Sequence, residues 1–167
     1  MEVTKYQGQY IKLTELEKEG HIWEKAYFPS SMVVFPITDE NEIIMVVERR
    51  PHELSSKRLK FITGHIDEGE DPIQCAYREM QEEAGYKADY LEQIMVHQSS
   101  GTINSEFHYI LAKGLSESKL PNPDGEDTIV EVKKIPLKEL KRMIYNDEFT
   151  WTLATLGIFK ILRLLNV

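Results

Sequence analysis

The chain has 167 residues, enough for one domain with a single well-formed core. Hydrophobic residues at 41% and charged residues at 29% describe a globular chain and exclude a disordered one. A net charge of −8 argues against nucleic acid as a partner, because phosphate backbones need clustered Lys and Arg; an anionic substrate would need a metal ion or a local basic patch.

The amino terminus, MEVTKYQGQY, shows no charged stretch followed by an apolar run, so no leader peptide is expected. Residues 1–30 read as two short strands, around Gln9–Leu16 and His21–Phe28, joined by a turn at Glu17–Gly20. Neither is apolar enough to own a core, so both must lean on the main body or on a second copy of the chain. A homodimer with exchanged N-terminal segments is the expected assembly. Trp23, Tyr27 and Phe28 suit stacking on an adenine and suit packing within or between subunits equally well.

Ser31–Ile37 (SMVVFPI) and Glu42–Glu48 (EIIMVVE) are stronger strands, separated by a turn at Thr38-Asp39-Glu40-Asn41 and closed by Arg49, Arg50 and Pro51. Residues 52–59 read as a polar loop, and Leu59–Thr63 as one short strand running into Gly64. Further strands are expected at Leu91–His97, Phe107–Ala112 and Thr128–Ile135, with an acidic loop, Gly114–Asp127, before the last. Two helices close the chain, Leu137–Asn146 and roughly Thr152–Leu165. The apolar stretch Trp151–Leu165 is broken by Gly157, Lys160 and Arg163 and is too short to span a bilayer, so no membrane partner is expected.

The stretch from Gly64 to Tyr86, GHIDEGEDPIQCAYREMQEEAGY, is the most ordered in the sequence. Asp71 can cap a helix, Pro72 fits its first position, Gln74 stands where a capping-box partner would, and Gly85 ends it. Ile73, Ala76, Tyr77, Met80 and Ala84 fall on one side, which is expected to pack inward. A 3.6-residue period puts Glu79, Glu82 and Glu83 together on the opposite, polar side. Cys75 is also read on that polar side; with no partner thiol and no neighbouring His it fits a reducing, cytoplasmic compartment and no nucleophilic role.

Like charges at these spacings repel, and a divalent cation removes the repulsion. Hard oxygen ligands suit Mg²⁺, with Mn²⁺ as the alternative, while the scattered histidines lack zinc-site spacing.

Gly64, Glu70, Arg78, Glu79, Met80, Glu82, Glu83 and Gly85, with Tyr86 as a bulky final residue, resemble the Nudix box, G-x5-E-x7-R-E-U-x-E-E-x-G-U. The acidic loop before the last strand and the two closing helices extend the resemblance toward the ADP-ribose pyrophosphatase branch. The resemblance implies an α/β fold, a Nudix-type α/β/α sandwich with a mixed sheet over residues 31–167, preceded by the short N-terminal strands. It implies metal-dependent hydrolysis of the diphosphate of a nucleoside diphosphate derivative, with ADP-ribose (to AMP and ribose 5-phosphate) or a nucleotide sugar foremost. GDP-mannose, a dinucleoside polyphosphate, an oxidised nucleotide and a non-catalytic ADP-ribose-binding module are the alternatives.

Carried over position by position, Glu79 and Glu83 would be the principal metal ligands, Glu82 would assist, and the Thr63 carbonyl would be a backbone ligand. Glu70 would brace the loop or help with a further metal, and Arg78 would orient a box glutamate. Glu126, with Asp124 and Asp127 beside it, matches the loop acid that acts as base or extra ligand. Arg49 and Arg50 would meet phosphates or a terminal ribose. Two positions depart from the branch and bear on the substrate pocket: Ser99-Ser100-Gly101 lacks the middle proline of a Ser-Pro-Gly element, and Lys60 stands where a glutamate is common.

Overall fold

A computed structural model describes residues 1–50, 57–121 and 128–167, the side chains of Thr152 and Leu153 excepted. In chain order the strands and helices are β1 (Glu2–Gln7), β2 (Lys12–Lys18), β3 (His21–Tyr27), β4 (Ser31–Pro36), β5 (Glu42–Glu48), β6 (Arg58–Lys60), β7 (Ile62–His65), α1 (Pro72–Glu79), β8 (Tyr86–Ser99), β9 (Ile103–Glu117), β10 (Ile129–Pro136), α2 (Leu137–Tyr145) and α3 (Thr152–Leu164). Seven strands form a mixed sheet in the order β1-β2-β3-β9-β4-β7, with β8 on the other edge of β9; β10, β5 and β6 form a second, antiparallel sheet. Among the described residues no helix is long and apolar enough to cross a membrane.

Strand alternation divides the core in two. Met32 and Val34 of β4, Ile44 and Val46 of β5, and Ile110 and Ala112 of β9 point to one face, where Cys75, Ala76, Met80 and Ala84 cover them. Val33, Phe35, Ile43, Met45, Tyr109 and Leu111 point to the other, beneath Leu137 and Leu140 of α2 and Ala154, Ile158 and Ile161 of α3. Helices on both faces of central strands make this an α/β/α sandwich with a mixed sheet.

Leu59–Thr63, expected as one strand, is two. β6 pairs with β5, and β7 pairs with β4, so the chain changes sheets at Phe61. Phe61 is fully buried, edge-on to Phe35 and Phe149, and its burial of an aromatic ring anchors the crossing. Thr63 and Gly64 are thereby held on a strand beside α1.

The N-terminal segment holds three strands rather than two. β1 (Glu2–Gln7) lies against β2, a strand that its polar sequence concealed, and every one of its side chains is exposed. This meander joins the main sheet through Ala26 and Tyr27 of β3, which pair in parallel with Ile103 and Asn104 of β9. β4 continues along the same edge of β9, from Ser31↔Phe107 to Pro36↔Ala112. β8 and β9 are also longer than their apolar cores, 14 and 15 residues, because their polar ends extend one antiparallel ladder from Tyr86↔Glu117 to Ser99↔Ser105.

Candidate active site

The carboxylates of the Gly64–Tyr86 stretch are assembled by β7, by the loop that follows it, and by α1. Asp71 caps α1 by accepting a hydrogen bond from the Ile73 N–H at 2.8 Å, and Pro72 opens the helix where its missing N–H costs nothing. The helix does not run as a regular α-helix to Gly85. From Met80 to Ala84 it widens into a single π turn, closed by the Gly85 N–H on the Met80 carbonyl, with Gly85 in the left-handed region at φ 75°. The wide turn buries Met80, Gln81, Glu82 and Ala84 together, a spread that a 3.6-residue period does not give. Lys119, beyond β9, donates to the Glu82 carbonyl at 2.6 Å and satisfies part of this helix end.

The polar face read from the sequence is therefore not a solvated one. Glu79, Glu82 and Glu83 turn toward the protein, with side-chain exposures of 15%, 9% and 12%. Cys75 is likewise buried among apolar neighbours, its Sγ donating to the His65 carbonyl, while Tyr77 is exposed. The period was right for Ala76, Met80 and Ala84, and those two neighbours fell on the wrong side of a narrow stripe boundary. Burial pushes the Cys75 thiol up, and the Glu70 and Glu79 carboxylates add to that shift, which leaves it protonated and inert.

Two basic residues divide the carboxylates between them. Arg78 grips Glu70 through a two-pronged pair, Nε to Oε1 at 3.0 Å and Nη2 to Oε2 at 3.1 Å. Its Nη1 donates to Glu79 Oε1 at 2.8 Å and to Glu82 Oε2 at 3.1 Å. Glu70 also accepts from the Asp67 N–H at 3.1 Å, which ties down the turn before α1. The Arg78 hydrogen bonds hold Glu70 below the usual carboxylate range.

Lys60 is the second. Its Nζ lies 2.9 Å from Glu83 Oε1, 3.1 Å from Glu48 Oε1 and 3.3 Å from Thr63 Oγ1. Glu83 Oε2 accepts from the Thr63 N–H at 3.3 Å. Glu48 in turn pairs with Arg50 at 2.7 Å and with Arg58 at 3.0 Å. Burial raises the Glu48 carboxyl, but the Lys60 ammonium and the Arg50 guanidinium outweigh it and leave it below its ordinary value.

Glu48 and Arg58 were not anticipated from the sequence, and Lys60 was noted there only as a departure bearing on the substrate pocket. The signal for Glu48 is in EIIMVVE: strand alternation places it on the face of Ile44 and Val46, so a charge continues a buried stripe. Cross-strand register adds Lys60 opposite Val46 and Arg58 opposite Glu48 on that same face.

Glu79 is raised despite its pairing with Arg78. Burial is the main cause and the nearby Glu83 carboxylate the next, and together they push it up to about 7 against the pull of Arg78. Burial raises Glu83 too, with Lys60 and Thr63 working against it. Gly64 makes room for this crowding: a Cβ there would overlap the Glu79 carboxylate and lie 2.5 Å from its Cγ.

As arranged, no three His, Cys, Asp or Glu side chains among the described residues converge into a ready-made metal cluster. Arg78 holds Glu70, Glu79 and Glu82, and Lys60 holds Glu48 and Glu83. The donor set nonetheless fits a hard cation, since it is all oxygen, brings Glu79 and Glu83 close enough to raise Glu79, and seats Glu79 directly against Gly64.

A family model described as NUDIX domain matches residues 27–153. The chain belongs to the Nudix family. It is 34% identical over 118 residues to the methanol dehydrogenase activator of Bacillus methanolicus, an alignment covering 70% of this chain and 63% of that one. With the ADP-ribose pyrophosphatase of Bacillus subtilis it shares 33% over 122 residues, 72% of this chain and 65% of the relative. With the ADP-sugar pyrophosphatase of Mus musculus it shares 29% over 154 residues, 80% and 71% of the two chains. The chain spans a little under two thirds of the length of the two bacterial relatives. A crystal structure of an ADP compounds hydrolase matches with a TM-score of 0.83 over 99% of this chain and 92% of that one, at 20% identity, and so shares the fold.

The remaining candidates of this Nudix domain are dispersed. Glu126, Asp124 and Asp127 lie outside the described residues. Arg50 is committed to Glu48, and Arg49 is exposed, its backbone N–H donating to Thr128 at 2.7 Å. The Ser99–Gly101 turn is tied to β3 by the Ala26 N–H on the Thr102 carbonyl at 2.7 Å. Trp23 is 57% exposed on β3 and lines a cavity of about 350 Å³ with Leu16, His21, Gly101 and Thr102, which contains none of the carboxylates above. Tyr27 is held by its hydroxyl on Glu2 at 2.7 Å.

Proposed function

We propose that this Nudix domain is a pyrophosphohydrolase that cleaves the diphosphate of a nucleoside diphosphate derivative, with ADP-ribose or a nucleotide sugar as its substrate. ADP-ribose and one water would give AMP and ribose 5-phosphate. The observation that carries the reading is the set of carboxylates Glu79, Glu82 and Glu83 beside Thr63 and Gly64, turned inward and oriented by Arg78 and Lys60, with burial raising Glu79 and Glu83. Family membership and the names of the bacterial and mouse pyrophosphatases support the same substrate class.

Glu79, Glu82, Glu83 and the Thr63 carbonyl would hold Mg²⁺ or Mn²⁺, with Glu70 bracing the loop or assisting a further ion. Such an ion neutralises a diphosphate and acidifies water at neutral pH. The chain's own contribution is orientation and proton handling. Arg78 fixes the directions of the Glu79 and Glu82 carboxylates through one guanidinium. Glu126 would take the proton of the attacking water. Arg49 and Arg50 would add positive charge for the phosphates or the terminal ribose on an otherwise acidic molecule.

The deciding experiment incubates the protein with Mg²⁺ and a panel of ADP-ribose, a nucleotide sugar, GDP-mannose, a dinucleoside polyphosphate and an oxidised nucleotide, and identifies the products. AMP and ribose 5-phosphate from ADP-ribose support the reading; no turnover of any of them, with tight ADP-ribose binding, would replace it with a binding module.

The β1–β3 meander exposes Val3, Tyr6, Leu13, Ile22 and Trp23, apolar surface that a second copy of the chain would cover. A homodimer through this segment belongs to the same proposal, and a monomer at micromolar concentration by light scattering would remove it. The lone, buried Cys75 supports a reducing, cytoplasmic setting.

A further inference from the structure

Lys60 is the unexpected member of the carboxylate cluster. A lysine almost never lies fully buried without a partner, yet here the residue is only 4% exposed. A primary ammonium has three N–H donors. Three oxygens surround this one, from Glu83, Glu48 and Thr63, at 2.9, 3.1 and 3.3 Å. The ammonium therefore sits as a cation does, inside a shell of hard oxygen donors with two carboxylates among them. Its position is set by the sheet rather than by a flexible loop. β6 pairs with β5 so that Lys60 faces Val46, one diagonal step from Glu48, and the π turn after α1 brings Glu83 onto Lys60.

We propose that the Lys60 ammonium is a resident cation that takes the place of one divalent ion at the Glu48–Glu83 end of the carboxylate cluster. The inference rests on the hydrolase reading, in which Glu79, Glu82 and Glu83 hold divalent metal. Glu83 Oε1 and Glu48 are then served by the protein's own charge, and divalent ions are confined to the side of Glu79, Glu82, Glu83 Oε2 and the Thr63 carbonyl. A chain that lacked this lysine would keep two buried carboxylates facing each other with no ammonium between them. Breaking a buried pair by removing one partner is strongly destabilising, and a bound dication is the direct way to relieve it.

The test counts ions. Metal-free wild type and Lys60→Met are titrated with MnCl₂ in the absence of substrate, and free Mn²⁺ is followed by electron paramagnetic resonance. Lys60→Met is expected to saturate at one more Mn²⁺ per chain than wild type. Its metal-free melting temperature should be lower than that of wild type, and Mn²⁺ should raise it by a larger interval. Equal saturation of the two proteins overturns the proposal.

If Lys60→Met does not fold, a measurement on the wild-type lysine itself, assigned with Lys60→Arg, decides the matter. The Lys60 ammonium, buried and hydrogen-bonded on three sides, should give a protected lysine side-chain signal in a ¹⁵N NMR spectrum, assigned by its absence from Lys60→Arg. That signal should persist at saturating Mg²⁺. Its loss on adding Mg²⁺ would show that the ion displaces the lysine, which sinks the idea. Wild type that binds no Mn²⁺ at all would remove the hydrolase reading as well, whereas wild type that binds Mn²⁺ and hydrolyses substrate while Lys60→Met gains no ion removes the lysine inference alone.

Discussion

The Glu79 carboxylate lies against the backbone of Gly64, in the volume that a Cβ would fill. A strand and a helix are thus in contact at the one point where a side chain on the strand would push a carboxylate of the helix aside. The glycine is required here for close approach rather than for an unusual backbone angle.

Gly64→Ala should displace Glu79 and leave the fold standing, since Glu79 is a flexible side chain and the neighbouring core is untouched. Mn²⁺ affinity and turnover are expected to fall by about 10–100-fold, the range for disturbing the support of a metal ligand. Unchanged Mn²⁺ binding by calorimetry would show that Glu79 is not a ligand in this position.

Arg78 serves three carboxylates with one planar guanidinium. Lysine has the charge without the fork, so Arg78→Lys is expected to lose the simultaneous grip on Glu70, Glu79 and Glu82. Turnover should drop by about 10–100-fold with a smaller change in melting temperature. A variant with wild-type kinetics would reduce Arg78 to a surface ion pair.

Metal-free protein should lose stability as pH rises from 5 to 8. Glu79 titrates near 7 in the folded state against an ordinary value of 4.5. Between these values the native state keeps a proton that the unfolded state has released, so the slope of stability with pH is negative, and it levels off above 7. The shift corresponds to about 3 kcal/mol at most. Glu48 and Glu70 are lowered, so their contribution is present above the ordinary carboxylate range and is lost only as pH falls through their folded values. Burial raises Glu83 as well, so it adds a slope of the same sign. Thermal melts across this range should show the decline, MgCl₂ should reverse it, and Glu79→Gln should make it shallower, with Glu83 carrying the remainder. A melting temperature that rises steadily to pH 8 without metal contradicts the assignment.

Gly157 lies in α3 where it crosses the sheet. A Cβ there would meet Phe35 Cζ at 2.5 Å and Tyr109 Cδ1 at 2.6 Å, and both rings are fully buried. Gly157→Ala gains about 1 kcal/mol of helix propensity. Forcing a methyl into packed rings costs about 1–3 kcal/mol, so the net change is expected to be destabilising. A fall in melting temperature with little change in turnover per folded molecule is the expected result, and an increase would show that α3 can lift off the rings freely.

The family motif that marks the candidate site was legible in the sequence because it is local. Gly64, Glu70, Arg78, Glu79, Glu82, Glu83 and Gly85 carry their meaning in their spacing, and the turn and helix that hold them are contiguous. The central strands were legible for the same reason, since alternation in SMVVFPI and EIIMVVE already separates the two core faces. β1 was not, because its polar residues carry no buried face and it is defined by pairing with β2. The π turn at Met80–Ala84 also escaped the helical period, because its register is set by packing beneath it and by Lys119 at its end.

What only the tertiary structure decided is where the charges go. Residues 48, 60 and 83 are far apart in the chain and meet because β5, β6 and the π turn after α1 are brought together across a sheet change at Phe61. No spacing rule spans that distance, whereas hydrogen-bond register does. The spacing of Gly64 and Glu79 is the half of the candidate site that the sequence determined by itself, and their contact came from folding. Glu83 on Lys60 is the half that folding determined, and it changes an exposed acidic cluster into a buried one that already contains a cation.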